Sequence, residues 1–102
     1  MSELTGKQRK LLRGLAHALE PVVRVGKEGV TEALVAEVGR ALDAHELIKV
    51  RFLDGKREKD RLVAELEAAT GAAEAGRVGH VSVLYREHPD PAKRKIRFEP
   101  ED

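Results

Sequence analysis

The order of apolar runs in this chain predicts an α+β domain with an open, four-stranded mixed sheet, in the order α-β-α-β-α-β-β. Three observations carry that reading. Apolar residues recur at helical spacing from Leu11 to Leu19, from Leu34 to Leu42 and from Leu62 to Ala69. Short runs between them read as strands, and Ile48-Lys49-Val50-Arg51-Phe52 alternates strictly. Breakers stand at the joints: Pro21, Gly26, Gly29, Asp54-Gly55, Gly71 and Gly79.

Each element has a local cause. Thr5-Gly6-Lys7-Gln8 has the form of a capping box, so a helix is expected to about His17. On that helix Leu11, Leu12, Leu15, Ala16 and Leu19 form one stripe, with Lys7, Lys10, Arg13 and His17 opposite. Gly14 lies on the polar side, where it leaves room for a partner's backbone. Val22 to Val25 reads as a strand. Thr31 is a natural N-cap for the second helix, flanked by Val30 and Val35 as a hydrophobic staple, and that helix runs to about Ala44. The strand Ile48–Phe52 buries one face and turns Lys49 and Arg51 to the other. A break at Asp54-Gly55 precedes the third helix, which closes near Gly71. Lys56, Arg57, Lys59 and Arg61 alternate with Asp54, Glu58 and Asp60, the pattern of a salt-bridged helix start. Glu74 to Val78 and Val81 to Arg86 form a hairpin at Gly79-His80, although Ala72, Ala73, Ala75 and Gly76 make the first strand poor by propensity. From His88 an extended tail is expected. Within it Lys93, Arg94, Lys95 and Arg97 either stay solvated or extend a basic surface, and Ile96 and Phe98 alternate as a short edge strand would.

Composition bounds the function. At 102 residues, 41% hydrophobic and 36% charged, the chain reads as one folded domain over 1–98, closed by a short acidic tail at 99–102. It has no cysteine, hence no disulfide and no zinc-thiolate site. No apolar run approaches membrane-spanning length, and the first residues lack a secretory signal, so the expected location is cytoplasmic, with no membrane partner. Net charge is only +1, but it is polarised: +4 over residues 1–27, −4 over 28–47, +3 over 48–61 and −2 over 62–102.

The basic front end contains the pattern of greatest chemical interest. Val25-Gly26-Lys27-Glu28-Gly29-Val30-Thr31 places two glycines between a strand and a capped helix. Such a loop lets backbone approach a phosphate, and the following helix N-terminus favours an anion. KH modules use a GXXG loop to clamp backbone nucleotides. Glu28 sets an anion in the loop, so Lys27 carries the attraction. No acid interrupts Lys7 to His17, unlike the mixed-sign face of a helix kept merely solvated. The candidate RNA-binding residues are therefore Lys7, Lys10, Arg13, His17, Gly26, Lys27, Glu28 and Gly29. Aromatic residues are few, namely Phe52, Tyr85 and Phe98, which favours contact with RNA backbone and shape over base stacking.

Catalysis is not indicated. His17, His45, His80 and His88 lack metal-ligand spacing, Ser2 and Ser82 sit in no nucleophile motif, and Glu65 and Glu67 point to different helix faces. No enzyme activity, cofactor, metal or small-molecule substrate is expected.

Several segments, in fixed order, resemble one family: Leu4 through His17, Pro21 through Thr31, His45-Glu46-Leu47-Ile48-Lys49-Val50 and Val83-Leu84-Tyr85-Arg86. They are similar to the CRM domain (chloroplast RNA splicing and ribosome maturation), in its stand-alone bacterial YhbY form. The resemblance spans roughly residues 3–98. It implies a KH-like open α/β sandwich, similar to the C-terminal domain of a bacterial translation initiation factor. It also implies association with precursors of the large ribosomal subunit. The family's G-x-x-G loop maps onto Gly26 to Gly29, and its basic helix onto Lys7, Lys10, Arg13 and His17. Glu28 departs from the neutral residue common among relatives. The expected function is an RNA-binding protein, acting as a monomer, that assists assembly of the large subunit. The alternative is an adaptor whose basic face binds an acidic protein.

Overall fold

The computed structural model describes residues 4–53 and 58–98. The expected acidic tail at 99–102, the break at Asp54-Gly55 and the residues Lys56 and Arg57 lie outside the described residues. The elements are α1 (Gly6–Ala16), β1 (Pro21–Val25), α2 (Glu32–His45), β2 (Leu47–Phe52), α3 (Lys59–Thr70), β3 (Ala73–Val78) and β4 (Val81–Tyr85). This is the α+β order the sequence predicts, with each described boundary within a residue or two. The strands form one mixed sheet in the order β1-β2-β4-β3. β1 runs parallel to β2, while β4 is antiparallel to both β2 and β3.

The strict alternation in β2 builds the sandwich. Ile48, Val50 and Phe52 face α2 and α3, where they join Val23, Val25, Leu34, Val38, Leu42, Leu62, Val63 and Leu66 in the larger core. Leu47 faces the other way, into a smaller core with Leu4, Leu12, Ala16, Ala75, Val83 and Tyr85. The sheet is thus covered by α2 and α3 on one side and by α1 on the other. α1 lies across β3, β4 and the first half of β2 and leaves the Lys49–Arg51 end of β2 open.

The caps behave as written in the sequence. Gln8 N donates to Thr5 Oγ1 (3.1 Å) and Thr5 N to Gln8 Oε1 (3.0 Å), closing the capping box. Thr31 Oγ1 accepts from Leu34 N at 3.1 Å, and Gly71 ends α3 with φ 77°. At the α3 start Arg61 pairs with Glu58 (3.0 Å) and Glu65 (3.2 Å). Arg86 Nη1 donates to Thr70 O, and Nη2 to Gly39 O and Asp43 Oδ1, tying the ends of α2 and α3 to β4. Among the described residues no helix is long and apolar enough to cross a membrane.

The structure divides the leucine stripe and overturns the edge strand. The leucine stripe of α1 is split: Leu12 and Ala16 are buried, whereas Leu11, Leu15 and Leu19 are exposed. Only the narrow strip of α1 that meets the sheet is covered, and no described residue is layered over its outer side. The tail forms no edge strand, but Lys93, Lys95 and Arg97 are exposed, as the solvated reading expects. It folds back after β4 through a short 3-10 turn at Pro91–Lys93, and Ile96 and Phe98 pack on the smaller core. The ring of Phe98 stands edge-on to Tyr85, with centroids 5.6 Å apart.

Glu46 fastens this tail. It follows α2 with φ 63° and ψ −40°, a conformation that costs a non-glycine residue about 1–3 kcal/mol. Its buried carboxylate accepts from three backbone amides: Oε2 from His88 N (2.7 Å), and Oε1 from Lys95 N (2.6 Å) and Ile96 N (2.9 Å). Burial pushes its pKa up, but the amides of His88, Ile96 and Lys95 and the charge of His88 outweigh that and hold it below the ordinary value. Next to it the Tyr85 hydroxyl is buried without a partner among the described residues. Burial, with the charges of Glu46 and Glu87, pushes its pKa up to about 12.

Candidate nucleic-acid interface

The glycine loop is a tight turn between β1 and α2. Gly29 N donates to Gly26 O at 3.1 Å, and Gly29 takes φ 69°, which only glycine adopts cheaply. Gly26 has no such need: an added Cβ would meet nothing within 4 Å. The fold itself therefore requires glycine at 29 but not at 26.

Beside the loop lies a cleft of about 310 Å³, whose far wall is α3. Lys27 and Arg61 face it together with Glu28, Glu58 and Glu65, and Arg61 is already held by two of those carboxylates. Among the described lining residues acids outnumber bases. Lys27 is the one lining cation with no ion pair among the described residues, so a phosphate at this loop meets backbone amides and a single ammonium.

The first-helix candidates divide into two groups. Lys7 and Lys10 share the outer face of α1 with Leu11, Gly14 and Leu15. Arg13 turns inward instead: its Nη1 donates to Ala75 O at 3.2 Å, and its stem crosses Gly76. A Cβ at Gly76 would stand only 2.8 Å from Arg13 Cγ. The small residues that weaken β3 by propensity are thus the ones that let α1 and Arg13 lie over it.

Arg13 and His17 form one side of a groove of about 620 Å³ that runs between α1 and the open part of the sheet. Lys49 and Arg51 of β2 supply the other side, and Val78, Val81 and Val83 line it as well. Glu20 is the one acid among the described lining residues. Arg24 stands in register with Arg51 across the β1–β2 pair and alternates with the buried Val23 and Val25, so it faces the same side. Arg77, also on the rim, is held by Glu74 and Asp60, whose hydrogen bonds raise its pKa further. Lys49 Nζ donates to Leu19 O at 3.0 Å. Among the described residues none of Arg13, Arg24, Lys49 and Arg51 is in a salt bridge.

The structure therefore does not gather all eight sequence candidates into one site. The loop cleft and the sheet groove share no lining residue. The groove adds Arg24, Lys49 and Arg51, which sequence reasoning left out of the site. Their signal was present in the alternation of β2, which turns Lys49 and Arg51 to one face.

Comparison with known proteins agrees with this architecture. The profile of the CRS1/YhbY (CRM) domain matches residues 4–86. A Haemophilus influenzae protein named RNA-binding protein is 45% identical over 87 residues, covering 84% of this chain and 88% of its own length. The Bacillus subtilis protein YqeI is 41% identical over 85 residues, covering 82% and 88%. The solution structure of Staphylococcus aureus SAV1595 covers 92% of this chain and 99% of its own at 34% identity, with a TM-score of 0.77. The names of the last two propose RNA binding. With most of its length matched by the family profile and by full-length relatives, the chain belongs to the CRS1/YhbY (CRM) domain family.

Proposed function

We propose that this protein binds RNA chiefly through the phosphate backbone, and that it assists assembly of the large ribosomal subunit by associating with its precursors. The observation that carries the first part is the sheet groove. Arg13, Lys49 and Arg51 line it, Arg24 stands beside it, and none of the four is spent on an internal ion pair among the described residues. Unpaired cations along one groove attract a polyanion and release its counterions. Among the described lining residues of the groove there is no Phe, Tyr or Trp on which a base would stack. The loop at Gly26 to Gly29 is a second backbone contact, with Lys27 as its cation. Names of the relatives support RNA as the partner. The ribosomal assignment rests on the resemblance to the YhbY type.

The test is equilibrium binding of the pure protein to large-subunit ribosomal RNA across a salt series. With four to six phosphates engaged, log K is expected to fall against log salt with a slope of roughly −3 to −5. A flat dependence, or no binding, contradicts the reading and favours the adaptor alternative.

A further inference from the structure

A different surface on the same helix is built for apolar contact. Leu11, Leu15, Leu19 and Val22 are 44%, 45%, 37% and 47% exposed. The three leucines are four residues apart, so they form one ridge that continues beyond the end of α1 into its last turn, where Leu19 N donates to Ala16 O. Gly14 sits beside the ridge with open space where a Cβ would be. The ridge runs into a groove of about 480 Å³ between Leu15, Leu19 and Val22 on one side and Ile96 on the other, with Leu47 at its floor. The Ile96 wall is fixed in place, because Glu46 holds the amides of Lys95 and Ile96. A contiguous apolar strip of this kind, rimmed by polar groups, marks an interaction site.

We propose that this groove docks an amphipathic segment of a partner protein, with apolar side chains on the ridge and acidic residues beside them. Charge selects this occupant. Lys7 and Lys10 flank the ridge, and His45 and Lys95 flank the groove, against one carboxylate, Glu20, among the described lining residues. Two copies of this chain packed ridge to ridge would bring together two surfaces of the same, basic sign. RNA bases seek aromatic or guanidinium planes, whereas the described lining of this groove is mostly aliphatic, with His45 as its one ring. An amphipathic helix laid in a groove fits the leucine spacing. This surface meets the RNA groove at Leu19 and Glu20, but Leu11 and Leu15 lie outside that groove's lining, so the two readings can fail separately.

The probe is a synthetic helix-forming peptide with leucines at i, i+4 and i+7 and glutamates beside them, titrated into the nitrogen-15-labelled full chain. Saturable amide shifts are expected at Leu11, Leu15, Leu19, Val22 and Ile96, weakening with salt. Leu11→Ser with Leu15→Ser, both at exposed positions outside the lining of the RNA groove, should cut peptide affinity by at least about tenfold, with spectrum and RNA affinity preserved. Lys49→Glu with Arg51→Glu should leave the peptide bound. The proposal is overturned by absence of shifts at the ridge, or by equal binding of a peptide with the same residues in scrambled order. It is also overturned if the serine variant loses RNA affinity, or if sedimentation shows a dimer that this variant abolishes.

Discussion

The Gly26–Gly29 loop and the groove between α1 and β2 differ in the property a phosphate senses first. The loop has backbone geometry suited to an anion, yet α3 folds against it and brings Glu58 and Glu65 beside Glu28. The groove has no recognisable motif, yet it collects Arg13, His17, Lys49 and Arg51, with one opposing acid among the described lining residues. A glycine pattern fixes how close a backbone can come. The charge at that place is set by whatever packs nearby, and here that is decided by residues about thirty positions further along the chain. The groove should therefore supply most of the affinity, and the loop a smaller, more positional contact.

Charge reversal gives the largest contrast. Lys49→Glu with Arg51→Glu should weaken RNA binding by about 10–100-fold and flatten the salt slope by about 2, whereas Lys27→Glu should flatten it by about 1. Filter binding across salt reads both. Equal losses would place the two regions on the same footing.

A change next to the groove that leaves its charges alone comes next. Glu46→Gln keeps the size but offers one acceptor oxygen to three amides, so it should cost about 2–3 kcal/mol in chemical denaturation and free the tail. The folded carboxyl lies below its ordinary 4.5, so its contribution is complete above that pH. It is lost as pH falls through the folded value. Amide signals of Lys95 and Ile96 should move together with a midpoint below 4.5. If Glu46→Gln left both stability and those signals unchanged, the fastening would be refuted.

Alanine in place of glycine separates the regions by a smaller margin. Gly76→Ala drives the Arg13 stem off β3 and should cost about 1–2 kcal/mol, with a few-fold loss of RNA affinity. Gly26→Ala meets open space, so its melting temperature should hold, and any loss of RNA binding reports close approach of the ligand backbone. The smallest effect is expected from Glu28→Gln, which removes a carboxylate from the loop and should raise RNA affinity two- to threefold, about 0.5 kcal/mol.

Much of this was legible because it is local. The Thr5–Gln8 capping box, the Thr31 cap and the turns at Gly71 and Gly79 are set by neighbours within four residues, and β2 shows its two faces in its own alternation. Contacts over long separations were not legible. A helical wheel shows that Leu11, Leu12, Leu15, Ala16 and Leu19 share a side, but not how much of that side the sheet covers. Gly76 looks like a flaw in a strand until Arg13 is seen across it. Glu46 appears as one acid before a buried strand, and its partners lie some forty to fifty residues away. A charged residue directly before Leu47-Ile48 was the one available sign that a carboxylate goes inside.

The central claim is that RNA backbone runs along the sheet groove, and amide mapping of the labelled protein with a large-subunit RNA fragment tests it most directly. The account expects the largest shifts at Arg13, His17, Arg24, Lys49 and Arg51, with smaller ones at Gly26 and Lys27. Shifts confined to Gly26 through Gly29 and the facing Leu62 would contradict it and move the site to the loop.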